Sequence, residues 1–161
     1  MRKMLSAAAL AALAAAASAV ALAGAAPAVG GSAARAAVVK ITTRTVPKLG
    51  TILVDAKGRT LYMFVPDKRR RVTCVATCAA VWPPVKVAKG EKIVAAGKAK
   101  ASLLGSDPDP AGGRVVTYAK WPLYRYISDR KPGQVTGQAL NLNGGLWYVL
   151  APSGKVIKKK L

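Results

Sequence analysis

The chain contains no histidine. That absence removes the commonest ligand for zinc, copper and haem iron. It also leaves a serine or cysteine nucleophile with only lysine as its base. Ser128-Asp129-Arg130-Lys131 matches the S-x-x-K spacing of such a pair, but it follows a predicted strand instead of opening a helix, and the companion motifs are missing. Acidic residues are scarce too, with six Asp plus Glu against 26 Lys plus Arg. Carboxylate pairs for glycoside cleavage would have to come from those six, most of which fall in turns. Asp107 and Asp109 flank Pro108 without the spaced oxygen ligands of a calcium loop. The residues therefore point to no metal, no cofactor and no catalytic constellation.

Cysteine is limited to Cys74 and Cys78, and none sits near the N-terminus to carry a lipid. In an exported protein an even pair in one short segment reads first as a disulfide. The alternative is an extracytoplasmic thiol–disulfide redox protein using Cys74 and Cys78. That chemistry usually shows C-x-x-C at a helix start in a βαβ setting, and here the spacing is C-x3-C. Export itself is read from residues 1–23. Arg2 and Lys3 precede an Ala-rich apolar run, and Ala21-Leu22-Ala23 forms an A-x-A cleavage site. Residues 24–36 form an Ala/Gly/Pro-rich linker too poor in large side chains to bury anything. The folded domain is expected at 37–157, with a basic tail at 158–161 and no membrane span after cleavage.

What the chain has in excess is positive charge, a formal +20. Without Arg2 and Lys3 it keeps 24 basic against 6 acidic residues, a net +18. Such a surface attracts polyanions. Outside a cell these include anionic wall polymers and acidic glycans, and no recognised nucleic-acid motif appears. Two clusters are candidate contacts: Lys68-Arg69-Arg70-Arg71, and Lys155 with Lys158, Lys159 and Lys160.

Two stretches repeat one pattern. Leu61-Tyr62-Met63-Phe64-Val65-Pro66-Asp67 and Leu123-Tyr124-Arg125-Tyr126-Ile127-Ser128-Asp129 each read Leu-Tyr, one residue, an aromatic, two residues, Asp. A repeat at fixed spacing implies one structural unit used twice. At strand period, Tyr62 and Phe64 share a face, as do Tyr124 and Tyr126. These aromatics read as core. Asp67 and Asp129 read as turn formers whose carboxylates accept N–H groups from the next residues. An enzyme using both would need one cleft holding Asp67 and Asp129 together.

Strands are expected at 38–45 and in three hairpins: 51–54 with 59–65 around a turn at 55–58, 115–118 with 123–127 around 119–122, and 147–150 with 155–157 around 151–154. A short helix is expected at 77–81, stopped by Trp82-Pro83-Pro84. A second helical turn is expected at 99–104, followed by a loop over 105–113. The class is all-β, mainly antiparallel: a single domain of two related β-hairpin repeats with one or two short helical turns.

The paired motifs resemble the bacterial secreted repeat proteins with a Y-x4-D motif, also described as predicted lipoproteins with a conserved Yx(FWY)xxD motif. Cys74 to Pro84, Ser102-Leu103-Leu104-Gly105, Val116-Thr117-Tyr118, Trp121-Pro122-Leu123-Tyr124 and Gly144 to Val149 fit the same pattern in order. The resemblance covers about residues 49–154. It implies a secreted repeat without an agreed biochemical activity. Because the lipid-carrying Cys is absent, it implies no lipid anchor. The expectation is a non-catalytic cell-envelope module that binds anionic extracellular polymers.

Overall fold

A computed structural model describes residues 38–68 and 71–161. The expected leader at 1–23, the linker at 24–36, and Arg69 and Arg70 lie outside the described residues. In chain order the elements are β1 (Val38–Val46), β2 (Gly50–Asp55), β3 (Tyr62–Phe64), α1 (Thr77–Val81), β4 (Lys86–Val87), β5 (Lys92–Ala95), β6 (Leu104–Pro108), β7 (Arg114–Tyr118), β8 (Trp121–Pro122), β9 (Asn141–Leu142), β10 (Gly145–Leu150) and β11 (Val156–Ile157). Single 3-10 turns lie at Val65–Asp67 and Ala101–Leu103. The protein is all-β and mainly antiparallel. Its sheets run β2-β1-β5, β11-β10-β3 with β9 alongside β10, and β4-β7-β6 with β8 alongside β7.

The turn at Asp55 forms as its residues dictate. Gly58 takes φ +76, its N–H meets the Asp55 carbonyl at 2.9 Å, and Asp55 N–H meets the Arg59 carbonyl at 2.9 Å. The returning strand stays with β2 only through Leu61, whose N–H donates to the Leu53 carbonyl. It then changes partner. β3 pairs with β10, Tyr62 opposite Val149 and Phe64 opposite Trp147. The partner of β2 is β1, from Ile41 opposite Asp55 to Val46 opposite Gly50.

Two further expectations require correction. Residues 104–108 are not helical turn and loop but an edge strand, β6, paired with β7. Pro108 ends it, where an edge strand tolerates a missing N–H. Residues 123–127 are not a strand. The hairpin closes earlier, with Tyr118 opposite Trp121. Ala119 and Lys120 both adopt positive φ, +48° and +69°, the conformation that two-residue hairpin turns require and that Asn-Gly usually supplies.

Tyr124 instead is fully buried against the first motif copy. Its N–H donates to the Tyr62 carbonyl and Tyr62 N–H donates to the Tyr124 carbonyl, both at 2.9 Å. The two motif copies are thus related by a local pseudo-two-fold between these residues. Pairing on either side follows the same relation. Val149 bridges Tyr62, and Pro84 bridges Tyr124. The last strand of each copy therefore packs on the other copy: β10 on β3, and β4 on β7.

These central segments are buried on both faces. One layer gathers Leu53, Leu61, Met63, Leu123, Tyr148 and Leu150. The opposite layer gathers Ile52, Val54, Tyr62, Phe64, Tyr124 and Trp147. Successive residues point to opposite faces, so each strand feeds both layers and its sequence reads as a continuous apolar run. Each fully buried large side chain contributes about 1.5–3 kcal/mol.

Candidate functional site

The motif aromatics form one stack. Phe64 lies on Trp147 with centroids 4.1 Å apart, Trp147 on Trp82 at 3.9 Å with planes 3° apart, and Trp82 on Tyr126 at 4.1 Å. Tyr62 meets Trp82 edge-on at 5.4 Å, and Tyr124 meets Trp147 edge-on at 5.3 Å. The arrangement obeys the pseudo-two-fold: each motif contributes one end ring and one edge-on tyrosine, and each copy lends one tryptophan to the middle. Offset stacking and edge-on contact add about 0.5–1.5 kcal/mol per pair beyond burial. Both indole N–H groups are satisfied, Trp82 Nε1 by Asn143 Oδ1 at 3.2 Å and Trp147 Nε1 by the Leu142 carbonyl at 2.9 Å.

The aspartates are wired crosswise. Tyr62 Oη donates to Asp129 Oδ2 at 2.6 Å, and Tyr124 Oη donates to Asp67 Oδ2 at 2.7 Å. Each tyrosine thereby binds the aspartate of the other copy. The second oxygens are held alike. Asp67 Oδ1 accepts Thr73 N–H and Oγ1–H at 2.8 and 2.7 Å; Asp129 Oδ1 accepts Thr136 N–H and Oγ1–H at 2.9 and 2.6 Å. The carboxylates do accept backbone N–H groups, but from six and seven residues onward and not from the next residues. Neither threonine belongs to the repeated motif, and the signal for them is a threonine at nearly the same distance after each Asp once the copies are aligned.

Asp67 is 0% exposed and Asp129 6%. Burial raises the Asp67 carboxyl above its ordinary range, and the bonds from Tyr124 and Thr73 only partly offset this. Burial, then the facing aspartate, pushes both tyrosine hydroxyls far above their ordinary value. Among the described residues the two carboxylates share no hydrogen-bond partner, and Asp67 has no exposed surface. As a chemical device the motif is a reciprocal lock between two copies.

Cys74 and Cys78 form a disulfide, with Cα atoms 5.2 Å apart. Cys74 is buried in the aromatic layer and follows Thr73 directly, so the bond fixes the segment between the Asp67 bracket and Trp82. Replacing both cysteines by serine is expected to cost about 2 kcal/mol, the value for so short a loop. Urea unfolding checks it: the midpoint falls at unchanged slope, and an unmoved midpoint defeats the claim.

The basic candidates are exposed at Lys68, Arg71, Lys158, Lys159 and Lys160. A side-chain amide outside every sequence motif joins the C-terminal tail to the core. Buried Gln138 donates from Nε2 to the carbonyls of Ile157 and Lys159 at 2.7 and 2.8 Å, while its Oε1 accepts Val149 N–H at 2.9 Å.

The distribution of acid is more telling. Asp55, Asp67, Asp109 and Asp129 are buried, and Glu91 and Asp107 are half-buried, so no acidic side chain is exposed. Asp55 is the most heavily bonded. Its Oδ1 accepts Lys57 N–H and Arg59 N–H at 2.9 and 3.0 Å; its Oδ2 accepts Arg59 Nε at 2.8 Å and Arg125 Nε at 2.9 Å. Burial works against its charge, but Arg125 and Arg59 outweigh that and hold its carboxyl below the usual range. Among the described residues no three metal-ligating side chains gather, and no helix is long and apolar enough to cross a membrane.

A family model described as a secreted repeat of unknown function matches residues 43–86 and 107–151. Each matched segment holds one Tyr-x-aromatic-x-x-Asp copy. No curated protein and no solved structure matches the chain.

Proposed function

The chain belongs to the family of secreted repeats of unknown function, and on that premise we propose that it is a non-catalytic cell-envelope module that binds anionic extracellular polymers through its basic surface. In this reading residues 1–23 direct export and are removed, which leaves the β domain outside the cell. The observation that carries it is the placement of acid. Four of the six carboxylate side chains are buried and the other two half-buried, while Lys40, Lys48, Lys89, Lys92, Lys120 and Lys155 are among the many exposed cations. A surface of nearly one sign holds polyanions by counterion release, without needing a shaped pocket.

The measurement is retention on isolated cell walls and on a phosphate-bearing wall polymer, with uncharged dextran as control. Retention is expected at low salt and release at about 1 M, where the Debye length falls to about 3 Å. Retention unchanged at about 1 M salt, or equal retention on dextran, defeats the reading.

A further inference from the structure

Among the described lysines and arginines, only Arg59 and Arg125 are half-buried as whole residues, and both are clamped to Asp55. Their side chains retain 40% and 27% exposure. Two cations face one carboxylate, so the trio keeps one positive charge. Asp55 engages Nε and one terminal nitrogen of Arg59 but only Nε of Arg125. Each guanidinium carries five N–H donors in a fixed fork, so most of these donors have no acceptor among the described residues. The anchoring carboxylate thus fixes two forks in place without satisfying them.

Both arginines line two adjoining clefts. One, of about 280 Å³, is also bordered by Lys40, Lys57, Lys86 and Glu91. Lys86 is engaged with Asp109 and the Gly112 carbonyl, and Glu91 accepts the Ala88 N–H; Lys40 and Lys57 are exposed and make no ion pair among the described residues. The other cleft, of about 190 Å³, is bordered by Pro83, Tyr126, Ile127 and Asp129. The Asp129 carboxylate is already held by Tyr62 and Thr136, and Ile127 is an exposed large apolar side chain. Each cleft is smaller than a site enclosing a whole small molecule. Together they offer a cationic notch with an apolar, aromatic shoulder.

We propose that Arg59 and Arg125, held by Asp55, form an oxoanion-recognition site that takes one phosphate or carboxylate group of an anionic polymer, with the attached sugar or polyol unit lying against Tyr126 and Ile127. Planar guanidinium forks match both oxoanions in a two-point geometry that lysine does not reproduce. This site rests on the polyanion reading above and deepens it, from a diffuse field to one fixed point of contact.

The test titrates the protein with a poly(glycerol phosphate) and with polygalacturonate, comparing wild type, Arg125→Lys, Arg125→Gln and Lys89→Gln, each first checked for an unchanged circular dichroism spectrum. Arg125→Lys keeps the charge and its pairing with Asp55, so it tests geometry apart from folding. Expected is a loss of about tenfold or more for both Arg125 variants, against at most about threefold for Lys89→Gln, with the salt slope of Arg125→Lys unchanged. The polymer that suffers the larger loss identifies the group, phosphate or carboxylate. Losses for the Arg125 variants no larger than for Lys89→Gln overturn the site and leave the polyanion reading standing. Failure of the wild type to bind either polymer overturns both.

Discussion

Replacing Trp82 by alanine is expected to cost about 3–5 kcal/mol, the range for a fully buried large aromatic, and to lower Tm by roughly 10–20 °C. Trp82 is an inner ring of the stack, between Trp147 and Tyr126, with Tyr62 on its edge. Its surroundings have no slack. A Cβ placed on Gly137 would come within 2.7 Å of the Trp82 ring and 2.9 Å of the Tyr62 ring, so the indole is seated directly against backbone. Removing it leaves a cavity that the disulfide-pinned segment resists filling. Since a domain of this kind is stable by about 5–15 kcal/mol, the variant keeps only a fraction of its folded population margin. Tyr126→Ala, at the half-exposed end of the same stack, is expected to cost clearly less. A Trp82→Ala loss below about 1 kcal/mol by urea unfolding would show that the stack is not the centre of stability.

Local signals in the sequence account for local structure. Asp55 to Gly58 announces its turn, the proline pair after Trp82 ends α1, and Ser153-Gly154 closes the last hairpin. Burial of Tyr62, Phe64 and Tyr124 was legible from their period and their aromatic character. The failures share one physical cause: non-local pairing. Nothing near Tyr62 says that its strand leaves β2 for β10, because a segment buried on both faces carries no polarity alternation to set its partner. Ala119-Lys120 carries no turn signature, so the strain of two positive φ values is imposed by the strands that it joins. Asp55 reads as a turn former, and it is one. That it also holds Arg125, seventy residues away, depends on the crossing of the two copies. The same crossing hid the lock, since each motif looks self-contained in sequence and is completed only by the other.

That lock makes the second large prediction. Asp67→Ala leaves Tyr124 Oη and the two Thr73 donors without their acceptor, and is expected to cost about 3–5 kcal/mol. Tyr124→Phe, which removes one bond to the carboxylate, is expected to cost about 1.5–3 kcal/mol. Because these two residues are partners, the double variant should cost less than the sum, with a coupling of about 0.5–3 kcal/mol. Tyr62→Phe should couple in this way with Asp129 and much less with Asp67, although Tyr62 and Tyr124 are backbone neighbours. Equal coupling to both aspartates would mean that the crossed pairing is wrong. The titration of Asp67 adds a signed check. Its folded pKa lies above the unfolded value of 3.8, so between the two the folded state binds more protons and its stability falls as pH rises. Asp67→Asn cannot titrate and lacks that slope. Its destabilisation relative to wild type should therefore be largest below the unfolded pKa and shrink as pH rises above 3.8 toward neutrality. A deficit that grows over that interval would mean that the buried carboxylate is favoured as an anion, and that Tyr124 and Thr73 more than compensate its removal from water.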